Sequence, residues 1–156
     1  MKNELKDDLK VNLNYCFPKE GRLHHRSLVE GLFRKGKSFY EFPFRVTWRI
    51  LNPEELQKNF RDKVPENIGK VQMMVTVPKK KRKRAVDRVK MRRRIREAYR
   101  LNRHPLLYLI ERDESIATMS IAFVYFHDKN LPYVTIEEKM KIVFDKLGRK
   151  VVAPVE

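Results

Sequence analysis

The chain of 156 residues carries 36 Lys and Arg against 20 Asp and Glu, a formal net charge of +16 at pH 7. One domain is expected at this length, and an apolar share of 42% is sufficient for a hydrophobic core. The single cysteine, Cys16, excludes an intrachain disulfide and a cysteine-based metal site. The first residues lack the apolar run of a secretory signal, and no stretch approaches the roughly 18 apolar residues of a membrane span, so we expect a cytoplasmic protein.

A loosely ordered arm is predicted over residues 1–20, followed by a short helix over 27–35. Ser27 is a suitable N-cap for this helix, with Glu30 at the capping-box position three residues later. Gly36 is suited to end it. The chain therefore enters its ordered part through a helix.

Two strands are predicted next, over residues 42–51 and 71–77, separated by a polar loop over 52–70. The first strand alternates regularly, which is typical of a half-buried strand. Its apolar side consists of Phe42, Phe44, Val46, Trp48 and Ile50, and its other side of Pro43, Arg45, Thr47, Arg49 and Leu51.

The most unusual part of the chain is residues 79–100, where thirteen Lys and Arg meet two acids, Asp87 and Glu97, a formal +11. We predict a loop over 79–83 and a helix over 84–102. The helix has an apolar stripe at helical spacing that is expected to face the core. The stripe consists of Met91, Ile95, Ala98 and Tyr99.

So basic a block repels itself unless a polyanion neutralises it, which indicates a nucleic-acid phosphate backbone as the partner. The alternative is a solvated charged face, but such helices generally interleave Glu with Lys. Binding to an anionic membrane surface is disfavoured because the apolar face is narrow and is needed for the core.

The remaining elements are a central strand over 115–126 and a last helix beginning at Thr135, with Glu138 in its capping box. The buried side of that helix is predicted to be Ile136, Met140, Val143, Phe144 and Leu147. The fold class is therefore α+β, a two-layer α-β sandwich in the order α-β-β-(β)-α-β-α with a basic crossover helix. Its single domain spans 21–150, and 151–156 form a tail.

Three local patterns resemble the protein subunit of bacterial ribonuclease P. They are the Arg22-Leu23 pair before the first helix with Gly36 after it, the strand end at 76–80, and above all the basic helix at 85–100. The chain departs from the family pattern in five places. Val89 replaces an Asn, Lys90 replaces an Arg, Val29 replaces a Phe, Thr47 stands at an aromatic position, and the 52–70 loop is longer than usual.

The resemblance implies a left-handed crossover and a protein that binds a large catalytic RNA. Together they would cleave precursor tRNA to release the mature 5′ end. The RNA would carry out the hydrolysis with Mg²⁺ that is held mainly by the RNA, with none bound firmly by the protein. The protein would help to hold the 5′ leader in a cleft between the first helix and the sheet. No obligate protein partner is evident.

The candidate RNA-binding residues form three groups. On the crossover helix they are Arg88, Lys90, Arg92, Arg93, Arg96 and Arg100. In the basic loop they are Lys79, Lys80, Lys81, Arg82, Lys83 and Arg84. In the leader cleft they are Phe33, Phe39, Arg45, Thr47 and Arg49. For Phe33 and Phe39 a place in the core is the alternative, and for Arg88 a pairing with Asp87 or a core carboxylate.

No catalytic or metal-binding residue is predicted. The four histidines, His24, His25, His104 and His127, form no pair with metal-ligand spacing and no general-base motif. We therefore expect a non-catalytic subunit of a ribonucleoprotein endonuclease. The competing interpretations are a structural RNA-binding protein of the ribosomal type and a stand-alone RNA-modifying enzyme.

Overall fold

A computed structural model describes residues 16–152 of the chain. A short 3-10 helix, Lys19–Gly21, precedes nine elements. These are α1 (Arg26–Lys35), β1 (Lys37–Glu41), β2 (Phe44–Leu51), α2 (Pro53–Lys58), β3 (Val71–Thr76), α3 (Ala85–Asn102), α4 (His104–Glu111), β4 (Thr118–Tyr125) and α5 (Tyr133–Val152).

The four strands form one sheet in the order β1-β2-β4-β3. The pairs β1–β2 and β2–β4 are antiparallel, whereas β3 and β4 are parallel neighbours joined through α3 and α4. The predicted α+β class, with a central last strand and a basic crossover helix, is confirmed. The handedness of the crossover stays a prediction.

The main core lies between one face of the sheet and the helices α3, α4 and α5. Alternate residues of β2, β3 and β4 point into it, as their period of two requires. The predicted stripe of α3 and the predicted buried side of α5 are both confirmed. The side chains that contribute are Met91, Ile95, Ala98 and Tyr99 from α3, and Ile136, Met140, Val143, Phe144 and Leu147 from α5. The basic helix is thereby fixed to the sheet along one side.

A second, smaller core lies on the opposite face, where α1 and α2 cover part of the sheet. It contains Leu23, Leu28, Leu32, Leu51, Leu56 and Ala122. The prediction that β2 is half-buried is therefore wrong for Thr47 and Leu51, whose exposed fractions are only 4% and 1%. Alternation alone does not show that a helix packs on the more polar face.

The predicted caps of α1 and α5 are wrong because both helices begin earlier. The N-cap of α1 is His25, whose side chain makes no capping bond. Ser27 lies inside the first turn, and Glu30 pairs with Arg26 at 2.8 Å instead of returning to the helix start. Helix α5 likewise starts two residues before Thr135.

Three elements were not predicted: β1, α2 and α4. Strand β1 pairs with β2 through a turn at Phe42 and Pro43, so β2 begins at Phe44. Within the segment predicted as a loop, Asn52 and Glu55 form a reciprocal capping box that starts α2. Prolines lie in the first turns of α2 and α4, where a missing N–H costs no hydrogen bond. Pro53 and Pro105 thus lie at the starts of helices, although proline in a sequence is usually taken to end a helix.

The predicted arm lies outside the described residues as far as residue 15. Residues 16–20 are described, and within them Phe17 packs against the fold. The ring of Phe17 lies 5.7 Å from that of Tyr99, and the guanidinium groups of Arg22 and Arg103 lie over it at 5.4 and 5.7 Å. The N–H of Leu23 then donates to the carbonyl of Met73 at 2.9 Å. These interactions fasten the chain to the edge of β3 before α1 begins.

Tyr99 predicts how the fold responds to alkali. Its ring is fully buried in the main core, and its hydroxyl has no hydrogen-bond partner within residues 16–152. Burial raises the pKa of Tyr99 above its usual range, and burial likewise raises the pKa of Tyr125 to about 12. The folded state keeps these phenols neutral, whereas in the unfolded state they ionise near pH 10. Their contribution to the free energy of unfolding is therefore complete below about pH 10 and is lost as the pH rises from there through the raised pKa of the folded state.

We therefore expect Tyr99→Phe to retain its stability at pH 7, or to gain up to about 1 kcal/mol, because an unsatisfied hydroxyl is removed. Its stability should also fall less steeply than that of the wild type between about pH 10 and 12. Urea unfolding at a series of pH values measures both effects. Parallel curves for the two proteins would show that ionisation of Tyr99 does not limit alkaline stability.

Candidate nucleic-acid interface

The side of α3 away from the core presents a cationic surface. Its apolar stripe is buried, which turns the intervening Lys and Arg side chains outward. Four of them make neither a salt bridge nor a side-chain hydrogen bond with the described residues. They are Lys90, Arg92, Arg93 and Arg96, which we call the open face of α3. The helix thus holds these four cations at a fixed spacing on one surface.

Arg96 lies in an environment that disfavours its charge. Partial burial lowers its pKa, and the nearby charges of Arg92 and Arg22 lower it further. An isolated parallel bridge to Met73 places Arg22 beside β3, close enough to α3 for its charge to act on Arg96. Three like charges that converge in this way would be relieved by a bound anion. Arg22 was not among the predicted binding residues, although the Arg22-Leu23 pair belongs to the family pattern.

Two of the predicted helix residues are engaged within the protein. The guanidinium of Arg88 donates to the carbonyl oxygens of Arg82 and Lys83, at 3.0 and 2.7 Å. Arg88 therefore pairs with backbone carbonyls, not with a carboxylate. Arg100 forms an ion pair with Glu97 at 2.6 Å. The charges of both side chains are therefore at least partly satisfied within the protein.

The basic loop divides in the same way. Lys79, Lys80, Lys81, Lys83 and Arg84 are exposed. Arg82 is not, because its side chain is only 18% exposed and pairs with Asp87 at 3.1 Å. It also donates to the carbonyl oxygen of Asp128. The loop consequently presents five outward cations around one inward arginine.

The predicted leader-cleft residues do not share one surface. Strand register places Phe39 opposite Val46, on the face of the main core, where the ammonium groups of Lys146 and Lys150 lie 6.0 and 5.4 Å from its ring. Arg45 lies on the opposite face of the sheet, since successive residues of a strand alternate. Phe39 and Arg45 therefore do not line one cleft.

Thr47 and Arg49 lie on the face covered by α1. Thr47 is buried, with its hydroxyl oxygen 3.1 Å from that of Ser38. The guanidinium of Arg49 lies against α1 at Gly31, in space that any side chain at position 31 would fill. Neither side chain lies on open sheet surface.

The open part of this face carries Tyr40 and Arg45, which are opposite each other on β1 and β2. Tyr40 is 58% exposed, and Arg45 has no salt bridge among the described residues. Phe33 is 50% exposed on α1, on the opposite flank of that helix from Gly31 when the residues are placed 100° apart. In the sequence Tyr40 has the same two possible places as Phe39, in the core or against the leader, and only the register of β1 shows that the two rings lie on opposite faces of the sheet.

The histidines lie in three separate places. The rings of His24 and His25 are 4.2 Å apart at the start of α1, and burial together with His24 lowers the pKa of His25. His104 begins α4, and His127 lies beside Phe42. Within residues 16–152, no three His, Cys, Asp or Glu are grouped so that they could hold a metal ion. No described helix is long and apolar enough to cross a bilayer.

The fold and its cationic helix define a basic α+β protein with one sheet, helices on both of its faces and a crossover helix rich in arginine. A family model described as Ribonuclease P matches residues 17–148. The chain therefore belongs to the ribonuclease P protein family.

Similar proteins agree with this assignment. The ribonuclease P protein component of Porphyromonas gingivalis W83 is 32% identical over 123 residues, covering 79% of this chain and 80% of that protein. The component from Dictyoglomus turgidum is 32% identical over 134 residues, covering 86% and 94%. The solved structure of the Staphylococcus aureus RNase P protein has a TM-score of 0.55 at 20% identity, covering 81% and 94%. That structural likeness concerns the fold.

Proposed function

We propose that this chain binds the catalytic RNA of ribonuclease P and the 5′ leader of precursor tRNA, and so assists the endonucleolytic maturation of the tRNA 5′ end. The observation that carries the proposal is the open face of α3, which is fixed to the core and makes no salt bridge with any of residues 16–152. Each cation that replaces a condensed counterion on RNA adds to affinity and to its salt dependence.

The contacts to the catalytic RNA are assigned to two adjoining surfaces. The first is the open face of α3 with Arg22, where like charges already crowd Arg96. The second is the exposed part of the basic loop: Lys79, Lys80, Lys81, Lys83 and Arg84. Arg82, Arg88 and Arg100 are assigned supporting roles, because their side chains are held by groups within the protein.

The leader is assigned to the open part of the sheet face beside α1. Tyr40 and Phe33 are exposed aromatics on which unpaired bases can stack, and Arg45 is a nearby cation for the backbone. Stacking on aromatic rings combined with backbone cations is how proteins hold single strands with little sequence preference. Arg49 lies at the flank of this surface, against Gly31.

Hydrolysis is assigned to the RNA and to Mg²⁺ that the RNA holds. The protein surfaces described above consist of cations and aromatic rings, which suit binding and positioning. The protein thus contributes electrostatics and substrate placement to a ribonuclease whose reacting groups belong to its RNA.

The decisive experiment incubates precursor tRNA with the protein alone, with its cognate catalytic RNA alone, and with both, at low Mg²⁺. We expect no cleavage by the protein alone, slow cleavage by the RNA and markedly faster cleavage by the two together. Cleavage by the isolated protein would make it an enzyme in its own right. Equal rates with and without the protein would favour a structural RNA-binding protein of the ribosomal type.

A further inference from the structure

Asp87 and Glu97 are the two acids within the basic block at 79–100, and their side chains differ in burial. Asp87 lies in the first turn of α3, its side chain is 13% exposed, and it pairs with Arg82 at 3.1 Å. Glu97, by contrast, has a 47% exposed side chain that pairs with Arg100 on the helix surface. The carboxylate of Asp87 is therefore turned inward, beneath a surface that is otherwise cationic.

The Asp87 carboxylate connects the basic loop to the loop that follows β4. The amide of Asn130 donates to its Oδ1 at 2.9 Å, while Arg82 pairs with its Oδ2. Arg82 in turn donates to the carbonyl oxygen of Asp128. One acid therefore bridges two segments that are more than forty residues apart in sequence, as the separations of 43 and 46 residues in these bonds show.

Both ends of this bridge are themselves anchored. On one side, Arg88 donates to the carbonyl oxygens of Arg82 and Lys83, which fastens the loop to the first turns of α3. On the other, the hydroxyl of Tyr125 donates to the carbonyl of Lys129, and Arg94 donates to that of Leu131, each at 2.5 Å. The bridge therefore joins two fixed parts of the fold.

The carboxylate keeps its charge at neutral pH. The hydrogen bond from Asn130 lowers the pKa of Asp87, and the nearby Arg82, Arg84 and Lys90 lower it further against the opposing effect of desolvation. The ion pair with Arg82 is therefore intact under the conditions in which RNA binds.

We propose that Asp87 is a positioning residue for RNA binding: through Arg82 and Asn130 it holds the basic loop in one conformation, so that Lys79, Lys80, Lys81, Lys83 and Arg84 meet phosphates without first losing conformational freedom. This inference rests on the proposed RNA-binding function of that loop. A loop that is ordered before it binds has less entropy to lose on binding.

For Asp87→Asn, the positioning role and simple electrostatics predict opposite changes in RNA affinity. Asp87→Asn makes the basic block more positive by one unit, so simple electrostatics predicts tighter RNA binding. Loss of positioning predicts the reverse, a weakening of about threefold to tenfold. Glu97→Gln is the matched control, because it makes the same change in charge in the same helix and should tighten binding by about twofold. Asn130→Ala, which changes no charge, should weaken binding in the same direction as Asp87→Asn.

A second measurement tests the loop without RNA. Trypsin cleaves after Lys and Arg in flexible chain, so limited proteolysis of the free proteins should show faster cleavage within residues 79–84 for Asp87→Asn and Asn130→Ala than for the wild type and Glu97→Gln. Circular dichroism and thermal melting confirm that each variant is folded.

Two results overturn the positioning role: cleavage within 79–84 that is unchanged in Asp87→Asn, or RNA binding by that variant as tight as by Glu97→Gln. A wild-type protein that does not bind its catalytic RNA would instead refute the proposed function. The proteolysis result still decides in that case whether Asp87 orders the loop.

Discussion

Replacing Arg92, Arg93 and Arg96 together by alanine is expected to weaken binding to the catalytic RNA by about a hundredfold near 0.1 M salt. It should also reduce the slope of log affinity against log salt by roughly two to three, about 0.7 to 0.9 for each phosphate that the protein no longer neutralises. None of the three guanidinium groups makes a salt bridge within the described residues, so each is available to phosphate in the free protein. Titrations of labelled RNA at several salt concentrations measure both quantities.

The fold should survive this triple change. The three side chains lie outside the buried stripe of α3, and their removal ends the like-charge crowding between Arg92, Arg96 and Arg22. The matched control is Lys58, Arg61 and Lys63 to alanine, in and after α2, which takes the net charge from +16 to +13 just as the test variant does. Equal decreases in affinity for the two variants would show that only the overall field matters, and an unchanged slope in the test variant would exclude this face.

The parts of the fold that sequence predicted correctly depend on patterns within single elements. The stripe of α3 from Met91 to Tyr99 and that of α5 from Ile136 to Leu147 recur at helical spacing, so each is visible in one window of sequence. Strand β1 is short and has a weak pattern, because Phe39 is only partly buried and Tyr40 is exposed. Its existence depends on pairing with β2, which local pattern does not contain.

The limits on predicting the site have the same origin. Arg82 and Arg94 both donate to carbonyl oxygens far along the chain, at Asp128 and Leu131, and Arg82 also pairs with the nearby Asp87. Backbone carbonyls carry no signature in sequence, since every residue has one. Composition therefore identifies the basic block correctly, but the separation of free cations from structural ones requires the tertiary fold. The placement of Phe39 and Tyr40 on opposite faces follows from strand register in the same way.

Gly36→Ala is expected to destabilise the protein by about 2–3 kcal/mol, because a Cβ at this position overlaps the backbone. The added carbon would lie well inside van der Waals distance of the carbonyl oxygen of Leu32, which accepts the hydrogen bond that ends α1. It would also approach the methyl carbon of Thr47 to 3.1 Å. The backbone angle φ is −72°, so the cost comes from lack of space and not from a left-handed conformation. A decrease in melting temperature of about 4–12 °C should accompany it.

Gly31→Ala provides the contrast within the same helix. Here the added Cβ overlaps the guanidinium of Arg49, the mobile end of a long side chain that can move away. The helix gains about 0.5–1 kcal/mol from replacing an interior glycine, so stability should be unchanged or slightly higher. Thermal unfolding of both variants decides the matter. Equal stability of Gly36→Ala and the wild type would mean that the end of α1 can shift away from the sheet, and that α1 is held less firmly over β2 than its packing against Thr47 indicates.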